Sequence, residues 1–168
     1  MGSKLGKKEV AIVIMEQGAQ FPAGVAELQA RVSRAVVDAQ QPDESPKSFA
    51  SRIVRRLQRL ANEGEVPASV VLSTTATQCP KCTAARYEIA RAALAAMIAA
   101  GYGQLVLFSD QDVSDEVRHE LFAFAGALCE GLGGADIAVN VRFSSHATKS
   151  GPRSVRPERL SQSAVELA

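Results

Sequence analysis

Tryptophan is absent from this chain of 168 residues, and aromatic residues make up only 5% of it. Its core must therefore rest on aliphatic side chains, and a surface for stacking single-stranded bases has little to draw on. Cysteine is scarce as well: three cysteines and two histidines exclude a disulfide-stapled scaffold, and the odd count leaves at least one cysteine without an intramolecular partner. An excess of one charge is also missing. With 19 Lys+Arg against 18 Asp+Glu the formal net charge is +1, so no global term favours a nucleic-acid partner. No apolar run approaches the roughly 18–20 residues that a spanning helix needs, so no membrane span is expected.

What is present is a hydrophobic content of 46% with 22% charged residues, enough for one domain with a real core. The basic start, with Lys4, Lys7 and Lys8, runs into Glu9 and a stretch too short for a signal core, which predicts a reducing cytoplasmic setting. Val10–Met15 (VAIVIM) reads as a strand buried on both faces. Leu28, Val32 and Val36 recur at helical spacing and predict a helix from Val25 to about Ala39. Ser45-Pro46 caps a second helix that buries Phe49, Ile53, Leu57 and Leu60 and stops at Gly64. Ser69–Thr75 is the next strand, followed by an alanine-rich helix from about Lys81 to Ala100. The end of that helix is apolar all round, which predicts burial on several sides, by the sheet and either another helix or a second subunit in a homo-oligomer. Leu105–Phe108, a helix from about Ser114 to Gly131, and an alternating edge strand, Ile137–Phe143, complete the pattern.

Strands alternating with helices over short connections predict an α/β fold: a three-layer sandwich with a mostly parallel four-stranded sheet and helices on both faces. Residues 1–7 are expected to be a flexible segment, 8–143 a single domain, and 144–168 a disordered, basic and Ser-rich tail. In such sheets ligands sit beyond the carboxyl ends of the strands. Glu16, Ser73, Thr74, Thr75, Ser109 and Asp110 fall there and are the candidate ligand contacts.

Cys79-Pro80-Lys81-Cys82 follows a strand and opens a helix, where the helix dipole and backbone N–H groups favour a thiolate. Over about a dozen residues this arrangement resembles the redox motif of thioredoxin and glutaredoxin proteins, and the resemblance implies a thiol switch at Cys79 and Cys82. No proline lies between Pro80 and Pro152, so the resemblance does not extend to the thioredoxin fold. Zinc would need a second tight ligand pair beside the cysteines, and none exists, so no metal site is assigned.

Glu16 at the end of the first strand, with Asp110-Gln111-Asp112 at a later one, resembles the Toprim pattern. That likeness implies a Mg²⁺-dependent phosphoryl-transfer site formed by Glu16, Asp110 and Asp112. The commoner role of aspartates ahead of a helix is capping. Arg52, Arg55, Arg56 and Arg59 share one helix face and are suited to a phosphate or an acidic partner. Universal-stress-type domains have a similar general architecture, but their glycine-rich nucleotide signature is missing here.

The resulting expectation is a non-enzymatic module that binds a small phosphorylated ligand or a protein partner and self-associates. The Mg²⁺ enzyme and the thiol switch are the alternatives.

Overall fold

Aliphatic stretches with β-branched residues pair side by side, and the helices between them are set by caps. The computed structural model describes residues 8–22, 34–75, 79–110, 112–144 and 158–159. Its strands are β1 (Lys8–Met15), β2 (Arg34–Ala39), β3 (Glu65–Ser73), β4 (Tyr102–Ser109), β5 (Asp136–Phe143) and β6 (Glu158–Arg159). The described helices are α1 (Pro46–Asn62), α2 (Pro80–Ala100) and α3 (Asp115–Cys129). The sheet order is β2-β1-β3-β4-β5-β6. The first five strands are all parallel, and β6 joins β5 antiparallel through Asn140 and Val141. The predicted α/β architecture with a parallel sheet is therefore present, with five parallel strands in place of four.

The additional strand comes from a correction. The predicted helix of 25–39 falls partly on residues 23–33, outside those described, while its last six residues form β2. Val36 fits a helical period, but it also belongs to the β-branched pair Val36-Val37, and ladder pairing from Val10↔Arg34 to Met15↔Ala39 claims the segment. A second correction concerns β5, predicted from its alternation to be an edge strand with its Ala138, Asn140 and Arg142 face in water. Asn140 on that face is only 7% exposed, and β6 covers part of the strand's outer edge. Of the predicted tail, Ser144 and Glu158–Arg159 are described; the rest, like residues 1–7, lies outside the described residues.

The helices begin as the sequence predicts. Ser45 and Ser114 accept the Ser48 and Val117 N–H groups at 3.1 and 3.2 Å, which caps α1 and α3. One face of the sheet, including Ile12, Ile14, Val70, Leu72, Leu105, Leu107 and Val139, forms a continuous core with Phe49, Ile53 and Leu57 of α1, Ile89 and Met97 of α2, and Leu121 of α3. All three described helices belong to this core. The opposite face carries a second cluster, Val13, Val71, Val106 and Phe108, to which none of them contributes. Within the single chain, the alanine-rich end of α2 is buried along one side and exposed on the other. Ala93, Leu94 and Met97 are inside, against the sheet and α1, while Ile98 is 43% exposed.

Candidate functional site

The strand ends form a common rim because the parallel ladder continues one residue past each strand. Glu16 donates its backbone N–H to the Ser73 carbonyl, Gln40 to Met15, Thr74 to Phe108 and Ser144 to Ser109, at 2.8–3.0 Å. The chain moves outward on one side from β1 to β2, then crosses to β3 and continues the other way. That reversal opens a crevice beyond the carboxyl ends of β1 and β3, the switch point at which ligands bind in open parallel sheets.

Glu16 and Thr75 face this crevice, and α2 supplies a residue that was not among the predicted contacts. Arg86 donates to both carboxylate oxygens of Glu16: Nε to Oε2, and a terminal nitrogen to Oε1 at 2.9 Å. Thr75 adds its backbone N–H to Oε1 at 3.0 Å and its hydroxyl at 3.3 Å. The pair is well enclosed, with side chains 13% and 12% exposed for Arg86 and Glu16. Charge-assisted, two-pronged bonds of this kind are the strong ones, and removing one member of an enclosed pair costs about 3–5 kcal/mol. Beside the pair lies a cavity of about 190 Å³. Gln17, Gln40 and Cys82 line its polar side, and Phe49, Ala85 and Ile89 its apolar side. The Gln40 side chain accepts the Gln17 N–H at 3.0 Å and donates to the Glu44 carbonyl at 2.9 Å, which ties this wall to the turn before α1.

The remaining rim residues do not join this crevice. Thr74 is 4% exposed, and its hydroxyl donates back to the Phe108 carbonyl at 3.3 Å. The Ser73 hydroxyl donates to the Gln20 carbonyl at 2.6 Å. Gln20 in turn donates to Asp110 Oδ2 at 3.2 Å, while Asp110 Oδ1 accepts the Asp112 N–H at 3.0 Å. Asp110 thus closes the turn ahead of α3 and anchors the segment after β1. Ser109 is 1% exposed, and its hydroxyl has no hydrogen-bond partner among the described residues. The six predicted contacts therefore divide. Glu16 and Thr75 meet at the crevice, Ser73 and Asp110 are linked through Gln20, and Thr74 and Ser109 are buried.

Glu16, Asp110 and Asp112 are engaged separately, and among the described residues no three His, Cys, Asp or Glu side chains converge to hold a metal ion. The predicted arginine face also divides. Arg52 grips Glu44 through two bonds of 2.8 and 2.9 Å and reaches the Ala39 carbonyl at 2.9 Å. Arg52 and Arg56 both approach the buried Asp38 of β2, at 3.7 and 3.5 Å. The Arg52 hydrogen bonds hold the Glu44 carboxyl below its ordinary range despite partial burial. Arg55 and Arg59 are exposed, and Arg55 lines an open groove between α1 and α2 with Glu88 and Arg91.

Cys79 and Cys82 are joined as a disulfide across the first turn of α2. Cys79 is the N-cap, its Sγ accepting the Cys82 N–H at 3.1 Å. Cys129 is a buried thiol, and burial pushes its pKa up.

Arg86 had a signal in the sequence. It lies four residues after Cys82 and three before Ile89, on the stripe that faces the end of β1. Gln17 and Gln40 had none, because their roles depend on β2 lying beside β1.

Fold and site define the class: an α/β chain with a parallel sheet whose strand order reverses at an enclosed carboxylate–guanidinium pair. No family model matches this chain, and no curated protein matches its sequence.

Proposed function

We propose that this chain is a binding module for a small phosphorylated ligand, held in the crevice between the ends of β1 and β3. The observation that carries the reading is the set of contacts around the Glu16 carboxylate: a forked guanidinium, a backbone N–H and a hydroxyl. These are the donors that bind phosphate, and here the chain's own carboxylate occupies them. A ligand phosphate takes the Arg86 and Thr75 contacts and turns Glu16 out.

The cavity limits the ligand. About 190 Å³ is below the roughly 300 Å³ at which pockets for drug-sized molecules begin, so a phosphate with a short attached group fits and a dinucleotide does not. Binding rather than catalysis is favoured because Glu16, the carboxylate that lines the crevice, is already engaged by Arg86 and Thr75.

Inorganic phosphate is the test probe, titrated into isotope-labelled protein. The Thr75 amide and Arg86 Nε resonances should shift together and saturate in the millimolar range. Glu16→Gln removes the competing charge and should tighten binding about tenfold, whereas Arg86→Lys, which keeps the charge and loses the fork, should weaken it. If the Thr75 and Arg86 signals stay unmoved in the native chain and in Glu16→Gln, the proposal fails.

A further inference from the structure

The same crevice has a second chemistry at its edge. We infer that Cys79 and Cys82 are a reversible dithiol–disulfide pair that reduces a small or protein-borne disulfide, with Cys79 attacking first and Cys82 resolving. The inference goes beyond phosphate binding and does not depend on it.

Position is the first argument. The bonded pair spans one helical turn at the mouth of the switch-point crevice, both residues are half-buried, and Cys82 lines the cavity beside Arg86. A substrate sulfur arriving there meets a partly exposed pair, not a sealed one.

A structural staple is the competing role, and the covalent geometry does not favour it. A sequence separation of 3 closes a very small loop, so the cross-link removes little freedom from the unfolded chain. The helix it joins is already anchored by Ala85, Ile89, Ala93 and Met97, each at most 7% exposed.

The two sulfurs are not equivalent. Cys79 Sγ accepts the Cys82 N–H at the amino end of α2, and both that hydrogen bond and the helix dipole favour a negative sulfur. Cys79 is therefore the attacking thiolate. It displaces one sulfur of a substrate R–S–S–R, releasing R–S⁻ and forming a Cys79–S–S–R mixed disulfide. Cys82, losing its proton, then attacks Cys79 Sγ, closes the observed bond and expels the second R–S⁻. The dithiol gives up two electrons and two protons, and the substrate leaves as two thiols. Two equivalents of thiol run the sequence backwards.

The full chain would be equilibrated in glutathione buffers of stepped ratio, quenched in acid, alkylated and weighed by mass spectrometry. Cys79 and Cys82 should convert together under native conditions, while Cys129 is alkylated only after denaturation. With oxidised glutathione, Cys82→Ser should accumulate one adduct on Cys79. Cys79→Ser should react at Cys82 at least about tenfold more slowly. The double variant Cys79→Ser/Cys82→Ser, in which serine preserves the cap, should melt within a few degrees of the native protein. Three results would each overturn the inference: a pair that stays reduced in oxidised glutathione, a bond that opens only when the protein unfolds, or a large loss of melting temperature in the double variant.

Discussion

At the scale of single residues, burial and one partner decide behaviour. Tyr102 begins β4 and donates its hydroxyl to Glu9 of β1 at 2.8 Å. Burial first, and then that hydrogen bond to a carboxylate, pushes its pKa up to about 12 from an ordinary 10.0. The folded state thus favours the neutral phenol. Its contribution to stability is complete below about pH 10 and is lost as pH rises towards about 12. In a Tyr87→Phe background the remaining tyrosine should show a phenolate absorbance midpoint near 12, and Glu9→Gln should lower it. A midpoint near the ordinary value would mean that the Glu9 contact is not made in solution. Cys79 shows how far single residues were legible in the sequence. The CxxC and its place at a helix start could be read directly, because both are local. That it sits beside a Glu16–Arg86 pair could not, because those two residues lie 70 positions apart in the chain.

Among the elements, α1 and β2 depend on each other. Its apolar stripe seats α1 in the core, while its arginines hold the edge strand: Arg52 and Arg56 reach Asp38, and Arg52 also grips Glu44 in the turn between the two elements. A run of four arginines spaced around one face suits a phosphate partner when read alone. Two of them turn out to serve the chain's own acids, a role that cannot be seen until 34–39 is known to be a strand. The Glu44 carboxyl lies below its unfolded value because it is hydrogen-bonded to Arg52. Its contribution is therefore present above the ordinary carboxylate pKa of 4.5 and disappears as pH falls through the lower folded value. Melting temperatures of native protein and Glu44→Gln should differ at about pH 7 and converge as pH falls through the lowered folded value. A gap that persists in acid would assign the effect to packing rather than charge.

Over the whole molecule, stability is concentrated where strands are buried on both faces and falls away at the edge. Leu72 in β3 is 0% exposed, whereas Val37 in β2 is 48% exposed. Leu72→Ala should cost about 3 kcal/mol in urea unfolding, and Val37→Ala within about 0.5 kcal/mol. Equal losses would contradict the strand order, which places β3 at the centre of the sheet. That order also places the crevice, since the reversal beside β1 brings the ends of β1 and β3 together with the amino end of α2.

Local patterning determined most of the elements. Continuous apolar runs, serine caps and glycine stops suffice to mark β1, β3, β4 and β5 and the helices α1 to α3, because each signal acts over a turn or a few residues. The helix predicted over 25–39 failed where a short segment had two compatible periods and a neighbouring strand was available to pair with it. Tertiary structure alone decided which rim residues meet. A strand sends alternate side chains to opposite faces, so residues that share a strand end need not share a pocket. Sheet order brought Arg86 to Glu16 and Thr75, sent Ser73 and Asp110 to Gln20, and buried Ser109.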